Sequence, residues 1–287
     1  PQGTRTISYI DVKDSNNTNV TAIDATGTNS VDSLHNLNWL FDTVSWTGGG
    51  DGTTWEDGGN WSSGSEPGAD QEVTIDANVT VDVNGTDTID GLVMGNAGGS
   101  TVPVLNFDYD AITDGALIVD DGNVTVYSGA SITHTAGTTG VGGTVYIDVQ
   151  TGDFLLTGDI NVDEKGYQQY AGTGGGGTCA VLTGCGGGGF GGEGGDGNGG
   201  SGGVAYGSLT APESLGSGGA GDGGGHGGGA VKLDVAGALT VDGLLTAHGG
   251  DGIWSNNRSG GGGSGGSIYI DAGTLAGSGT VSADGGD

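Results

Sequence analysis

The chain has 287 residues, 71 of them glycine, and a formal charge of −30 from 35 acidic against 5 basic residues. That balance excludes binding to nucleic acid or to an anionic membrane through a basic patch, and makes cations the natural companions of the surface. An aromatic content of 6% excludes a large conventional core, and 4 prolines exclude a collagen helix, which needs one glycine in three with abundant proline.

Residues 1–44 alternate apolar and polar at Ile7, Tyr9 and Val12, then break into short apolar pieces between the turn clusters DSNN and DATGTN, ending on Trp39, Leu40 and Phe41. The pattern predicts the end of a preceding β-solenoid unit. The sequence opens on Pro1 with no secretory leader or membrane span, and reads as a processed product or a segment of something longer.

Residues 45–71 carry Trp46, Trp55, Trp61 and Pro67 just ahead of the strand-like EVTI. Three clustered tryptophans can stack on sugars or cover the open end of a fold, and the second use is the expected one. The arrangement W-x-G, W, NW, P, V-x-I resembles the opening of the β-helical domain in autotransporter-like and filamentous-haemagglutinin-like bacterial surface proteins. The resemblance covers some thirty residues and implies a right-handed parallel β-helix displayed outside a cell.

From residue 72 onward the chain is a series of short β-branched pieces separated by Asn-Gly, Asp-Gly and Ser-Gly turns, with no stretch of helical period. Such pieces suit a sandwich or stacked rungs, and an internal repeat favours rungs. GGTVYIDV, GGAVKLDV and GGSIYIDA recur, each followed by a turn, at Ala236–Gly237 in the second copy, and then by a second apolar piece. The repeat predicts that Val145, Val231 and Ile268 stack, as do Ile147, Leu233 and Ile270, with Asp148, Asp234 and Asp271 in line outside. Between these units lie glycine runs at 172–203, 216–229 and 249–266. From Phe190 the exceptions to glycine fall three apart, at Phe190, Glu193 and Asp196, which is the pitch of an extended polyproline-II-type helix. The fold class expected is therefore all-β: a right-handed parallel β-helix, or β-solenoid, with a polyglycine-II loop bundle. The alternative is that the runs are flexible linkers.

Cys179 and Cys185 close the short loop CAVLTGC inside the first run and are expected to form a disulfide, which implies an oxidising compartment. Surface-binding side chains are expected at Phe190, Glu193, Asp196, Tyr206, His226 and Trp254. Sequons at Asn16, Asn19, Asn60, Asn78, Asn84, Asn123 and Asn257 offer glycosylation sites. No cofactor is expected other than Ca²⁺, with Asp121, Asp196 and Asp251 as candidate ligands; GGEGGDGNG approaches a calcium-binding nonapeptide repeat, but Asn198 holds its apolar position and no tandem copies follow.

Catalysis is not expected. Asp120–Asp121 and the Gly225-His226-Gly227 triplet resemble elements of inverting pectinases, but adjacent residues of a strand point to opposite faces. The basic residues Arg5, Lys13, Lys165, Lys232 and Arg258 are scattered. The expected role is a structural or adhesive subunit of a cell-surface fibre, self-associating or contacting other surface proteins and glycans, with no nucleic acid and no direct membrane insertion. The alternative is a receptor- or glycan-binding adhesin, since the glycine runs resemble those at phage tail-fibre tips. Ice binding, by resemblance to arthropod polyglycine-II antifreeze proteins, is disfavoured by the charge.

Overall fold

The structure is a computed structural model that describes residues 43–108, 115–138 and 143–287, together with residues 11, 12, 15, 16, 18, 23, 24, 31, 32, 39 and 40. Most of the unit expected over 1–44, including Ile7, Tyr9, Asn19 and Phe41, lies outside the described residues. Trp39–Leu40 pairs in parallel with Ile23–Asp24. The strand Thr43–Ser45 pairs with Glu72–Ile75, so the chain before the tryptophan cluster joins the same sheet as the chain after it.

Valine, isoleucine, leucine and threonine alternate in and out over three to five residues, and each such piece forms a strand with one buried face. Glycine and asparagine turns end them before a helix can start; among the described residues helix is limited to the 3-10 turn Gly58–Asn60. One sheet has ten strands and a second has six. Every strand pair in these two sheets is parallel. The inward residues of both sheets form a single core.

The closed right-handed β-helix expected from the sequence is corrected by this topology. The strands divide among several separate sheets, and the parallel sheets curl into a half-barrel. A closed solenoid needs every coil to supply strands all round one axis. Here twist curls the sheets, and the glycine runs, expected as a loop bundle outside a closed helix, contribute no strands to either large sheet. A second departure lies at Ala236–Gly237, which reads as a turn in the sequence. The strand Ala230–Val241 runs straight through it, pairing first with Val145–Val149 and then with Phe154–Leu156.

The repeat units pair in the register that their sequences suggest. Val145 stands opposite Val231 and Val231 opposite Ile268; Ile147, Leu233 and Ile270 follow suit, as do Asp148, Asp234 and Asp271. Burying each aliphatic side chain of such a row contributes about 1.5–3 kcal/mol. Outside, the same register puts Lys232 over the Tyr146 ring at 4.3 Å, where it pairs with Glu213 at 3.3 Å and Asp234 at 3.6 Å.

The tryptophans of 45–71 cover one end of the stack. Trp46, Trp55 and Trp61 are all buried. Trp61 meets the other two edge-on, at 4.9 Å from Trp46 and 4.8 Å from Trp55, and its Nε1–H donates to the Trp55 carbonyl at 2.6 Å. Rings so enclosed are core, and offer no face to a sugar.

Candidate functional site

Glycine determines how the runs between the strands pack. Consecutive N–H groups of one run donate to different neighbours: Gly186 to the Gly177 carbonyl, Gly187 to Gly195, Gly188 to Gly262, and then Gly189 to Gly174. The fourth bond thus returns to the segment that received the first. Gly261 and Ser264 do the same, donating to Ala220 and Ser217, while Gly263 between them donates to Gly250. An extended backbone with three residues per turn makes no internal hydrogen bonds, so a dry layer of such segments must satisfy its polar groups sideways. Side chains would prevent this: a Cβ on Gly225 would stand 1.8 Å from the Gly250 carbonyl oxygen.

Gly229 leads directly into Ala230–Val241 and Gly266 into Ser267–Ala276, so these ends of the runs lie at the sheets. Gly223 and Gly260 mark the far end, roughly 20 Å away at the rise of such a helix. Two small structures sit there. Cys179 and Cys185 form a disulfide with Cα atoms 4.7 Å apart. Beside this loop is a hairpin, Trp254–Ser255 antiparallel to Arg258–Ser259, turned by Asn256 and Asn257 at φ 48° and 57°. Left-handed backbone at both central residues is what a tight hairpin of this kind requires, and asparagine tolerates it. Leu182 N–H donates to the Asn257 carbonyl at 2.7 Å and Cys185 N–H to Ser259 at 2.9 Å, so loop and hairpin form one tip. Asn256 Nδ2 donates to Asp222 Oδ2 at 2.8 Å and ties in a third run.

This tip exposes apolar side chains that nothing in the fold covers. Leu182 is 71% exposed, Ile253 63%, Trp254 61% and Val181 56%. Four large apolar groups thus stand exposed at one end of the glycine layer, and clustered exposure of this kind calls for an explanation where scattered exposure does not. Trp254 was marked from the sequence. Val181, Leu182 and Ile253 were missed, although their signal was present: isolated apolar residues inside glycine runs, outside any strand pattern.

The other expected binding residues are spread over several parts of the glycine layer. Phe190 packs edge-on against Tyr206 at 5.0 Å. The Tyr206 hydroxyl donates to the Leu215 carbonyl and accepts from Ser217 Oγ at 2.9 Å; burial is the main cause of its raised pKa. Phe190 and Glu193 border an open groove of about 510 Å³ between two glycine segments. Asp196 is exposed, and its Oδ1 accepts from Gly202 N–H at 2.7 Å. His226 is half-buried in a cleft of about 370 Å³ lined also by Glu164, Asp222, Asp251 and the tip residue Ile253.

The candidate calcium ligands are likewise apart. Asp121 accepts from Thr151 Oγ1 at 3.1 Å, and Asp251 from Asp287 N–H at 3.0 Å. Among the described residues no group of three His, Cys, Asp or Glu side chains is placed to hold a metal ion. Of the sequons, Asn16, Asn78, Asn84, Asn123 and Asn257 are exposed, whereas Asn60 is fully buried with its Nδ2 already donating to Asp51 and Thr54. As folded, Asn60 presents no acceptor for a glycan.

One arrangement has the outline of a catalytic triplet. His248 Nε2 lies 2.9 Å from Ser282 Oγ, and Nδ1 lies 3.5 Å from the Asp284 carboxylate. The backbone N–H of Asp284, however, donates to Nδ1 at 3.0 Å. In the neutral ring the proton then sits on Nε2, facing the serine, so the imidazole has no lone pair there to take the serine proton. The three residues fasten the strand Thr280–Ser282 to its neighbour.

No family model, curated protein or solved structure matches the chain. Among the described residues no helix is long and apolar enough to cross a membrane.

Proposed function

We propose that this chain is an extracellular, non-enzymatic surface protein of structural and adhesive role, in which the curled sheets serve as a stem and the far end of the glycine layer makes contact. The observation that carries this reading is the convergence of Val181, Leu182, Ile253 and Trp254 at one tip. Two features support it. The disulfide of Cys179 and Cys185 suits an oxidising, extracellular setting. The glycine layer, cross-bonded on several sides, holds the tip away from the stem without flexing.

A fibre is supported by the outer edges of Ser267–Ala276 and Thr280–Ser282, which have no strand beside them among the described residues. Parallel edges of this kind extend by strand addition. The receptor-binding reading draws on the tip itself, where Trp254 stands beside the polar Asn256 and Asn257. Replacing Leu182 and Trp254 together by alanine separates the two roles. Attachment of the purified protein to immobilised host-surface glycans and proteins should fall at least tenfold while strand content and any filament seen by electron microscopy persist. Undiminished attachment by the double variant would overturn the role of the tip.

A further inference from the structure

Asp87 opens the strand Asp87–Ile89, with its side chain on the buried face beside Ile89. Its register partner is Leu117, and the row continues through Ile147, Leu233 and Ile270. A carboxyl group thus occupies one end of an aliphatic row. Asp87 is 7% exposed, and among the described residues its Oδ2 receives no hydrogen bond from any donor.

Among the described residues the charged groups facing it are both acidic. Glu66 approaches within hydrogen-bonding range, and Glu56 lies near enough to repel. From the adjoining strand come only Leu117 and Ala116, whose carbonyl accepts the Asp87 N–H at 3.0 Å. Glu56 is committed elsewhere, accepting from Asn84 N–H at 2.7 Å and from Asn84 Nδ2 at 3.3 Å. Two carboxylates cannot hydrogen-bond to each other, whereas a carboxylic acid and a carboxylate can. Glu56 follows the buried Trp55, and Glu66 precedes the buried Pro67. Both arms of the tryptophan-rich segment therefore bring a carboxyl group to Asp87.

We propose that protonated Asp87 donates a hydrogen bond to Glu66 and so acts as a latch, holding the tryptophan-rich segment against the end of the strand stack while the proton is present and releasing it when the proton is lost. Burial first, then the two glutamates, push the Asp87 carboxyl up to about 8. A carboxyl group raised in this way stabilises the fold fully below its unfolded value of 3.8, and that contribution is lost as pH rises through about 8. The latch is therefore closed in mild acid, loosens through neutrality and opens in mild alkali.

The test follows acrylamide quenching of tryptophan fluorescence, and amide exchange over residues 46–66, in the full chain from pH 5 to pH 10. Both should rise several-fold through a one-proton transition with a midpoint near 8. Asp87→Asn supplies an amide donor to Glu66 at every pH and should abolish the transition with the segment protected throughout. Glu66→Gln serves as a second variant, should the first fail to fold: its amide can donate to the ionised Asp87, so the transition should move to lower pH and shrink. A flat wild-type profile, or a transition unchanged in either folded variant, would overturn the latch. So would suppression of the transition by micromolar Ca²⁺, which would mean that the pair holds a cation and not a proton.

Discussion

His134 Nε2 accepts a hydrogen bond at 3.1 Å from the backbone N–H of Ala230, 96 residues further along the chain. Nδ1 lies 2.8 Å from the Thr135 carbonyl, which can only accept, so Nδ1 carries the proton and the ring is neutral. This bond fixes the point at which the chain returns from the glycine layer to the sheet. The ring is buried, and burial is the main reason its pKa falls from 6.5 to about 4. For a histidine depressed in this way the unfolded chain takes up a proton first. The contribution is complete above about pH 6.5 and declines as pH falls toward 4, by roughly 3 kcal/mol in all. Urea unfolding at pH 8, 6, 5 and 4 should show this decline, and His134→Gln should flatten it relative to wild type. Equal slopes in the two proteins would show that His134 has no part in it.

Glycine is not equally necessary along the runs. Alanine at position 225 places Cβ 1.8 Å from the Gly250 carbonyl oxygen, where neither backbone can yield without losing its hydrogen bonds. Gly225→Ala should cost about 3 kcal/mol or more. A Cβ on Gly195 meets nothing within 4 Å, and the backbone there is not left-handed. Gly195→Ala should be neutral or stabilising by up to about 1 kcal/mol, because it restricts the unfolded chain. Thermal unfolding of the two variants distinguishes a bonded layer from loose linkers, for which both substitutions would be harmless.

How far such features could be read from the residues depends on their range. The alternation in VYIDV, KLDV and IYID encodes which side chains are buried, and its recurrence encodes register, so the rows through Val145 and Ile147 are legible in the residues alone. The near-absence of helix among the described residues and the burial of Trp46, Trp55 and Trp61 were legible too. Closure was not: whether stacked strands curl into a half-barrel or a full coil depends on twist accumulated over many strands, which no local pattern carries. Nor could the chain reveal that Phe190 and Tyr206 would spend their contacts on each other, or that Asp87 would end an aliphatic row. Both depend on what lies across the fold. Ala236–Gly237 misled because a glycine inside a strand reads as a turn unless its neighbours on both sides are known.

The disulfide acts on the tip and not on the stem. It closes a loop with a sequence separation of 6, for which the unfolded-state restriction is worth about 2 kcal/mol. The loop's outward hydrogen bonds include those of Leu182 to Asn257 and Cys185 to Ser259. With both cysteines replaced by serine, amide exchange should quicken at 179–185 and 253–259 while strand amides such as those of Val145–Val149 keep their protection. Loss of protection spread evenly through the sheets would mean that tip and stem unfold as one unit.

Asn60 is the centre of the polar network beneath the tryptophans. Its Oδ1 accepts from Gly50 N–H at 3.0 Å and Gly52 N–H at 2.9 Å, and its Nδ2 donates to Asp51 Oδ1 at 2.8 Å and the Thr54 carbonyl at 2.9 Å. All four of its hydrogen-bonding positions are filled. The donors from Thr54 first, then Thr53 and Asn60, that converge on Asp51 hold its carboxyl well below the usual carboxylate range. Asn60→Ala strands four partners in a site closed to water, and at the usual cost of unmade buried hydrogen bonds should lose about 3–5 kcal/mol. Asn60→Asp is nearly the same size, yet it removes both N–H donors and sets a second carboxylate against Asp51. At neutral pH it should therefore be at least as damaging as alanine, and acidification to pH 4 should recover part of the loss only in the aspartate variant. Melting temperatures of the two variants at pH 7 and pH 4 decide the matter: an aspartate variant as stable as wild type at pH 7 would show that the amide donors are dispensable.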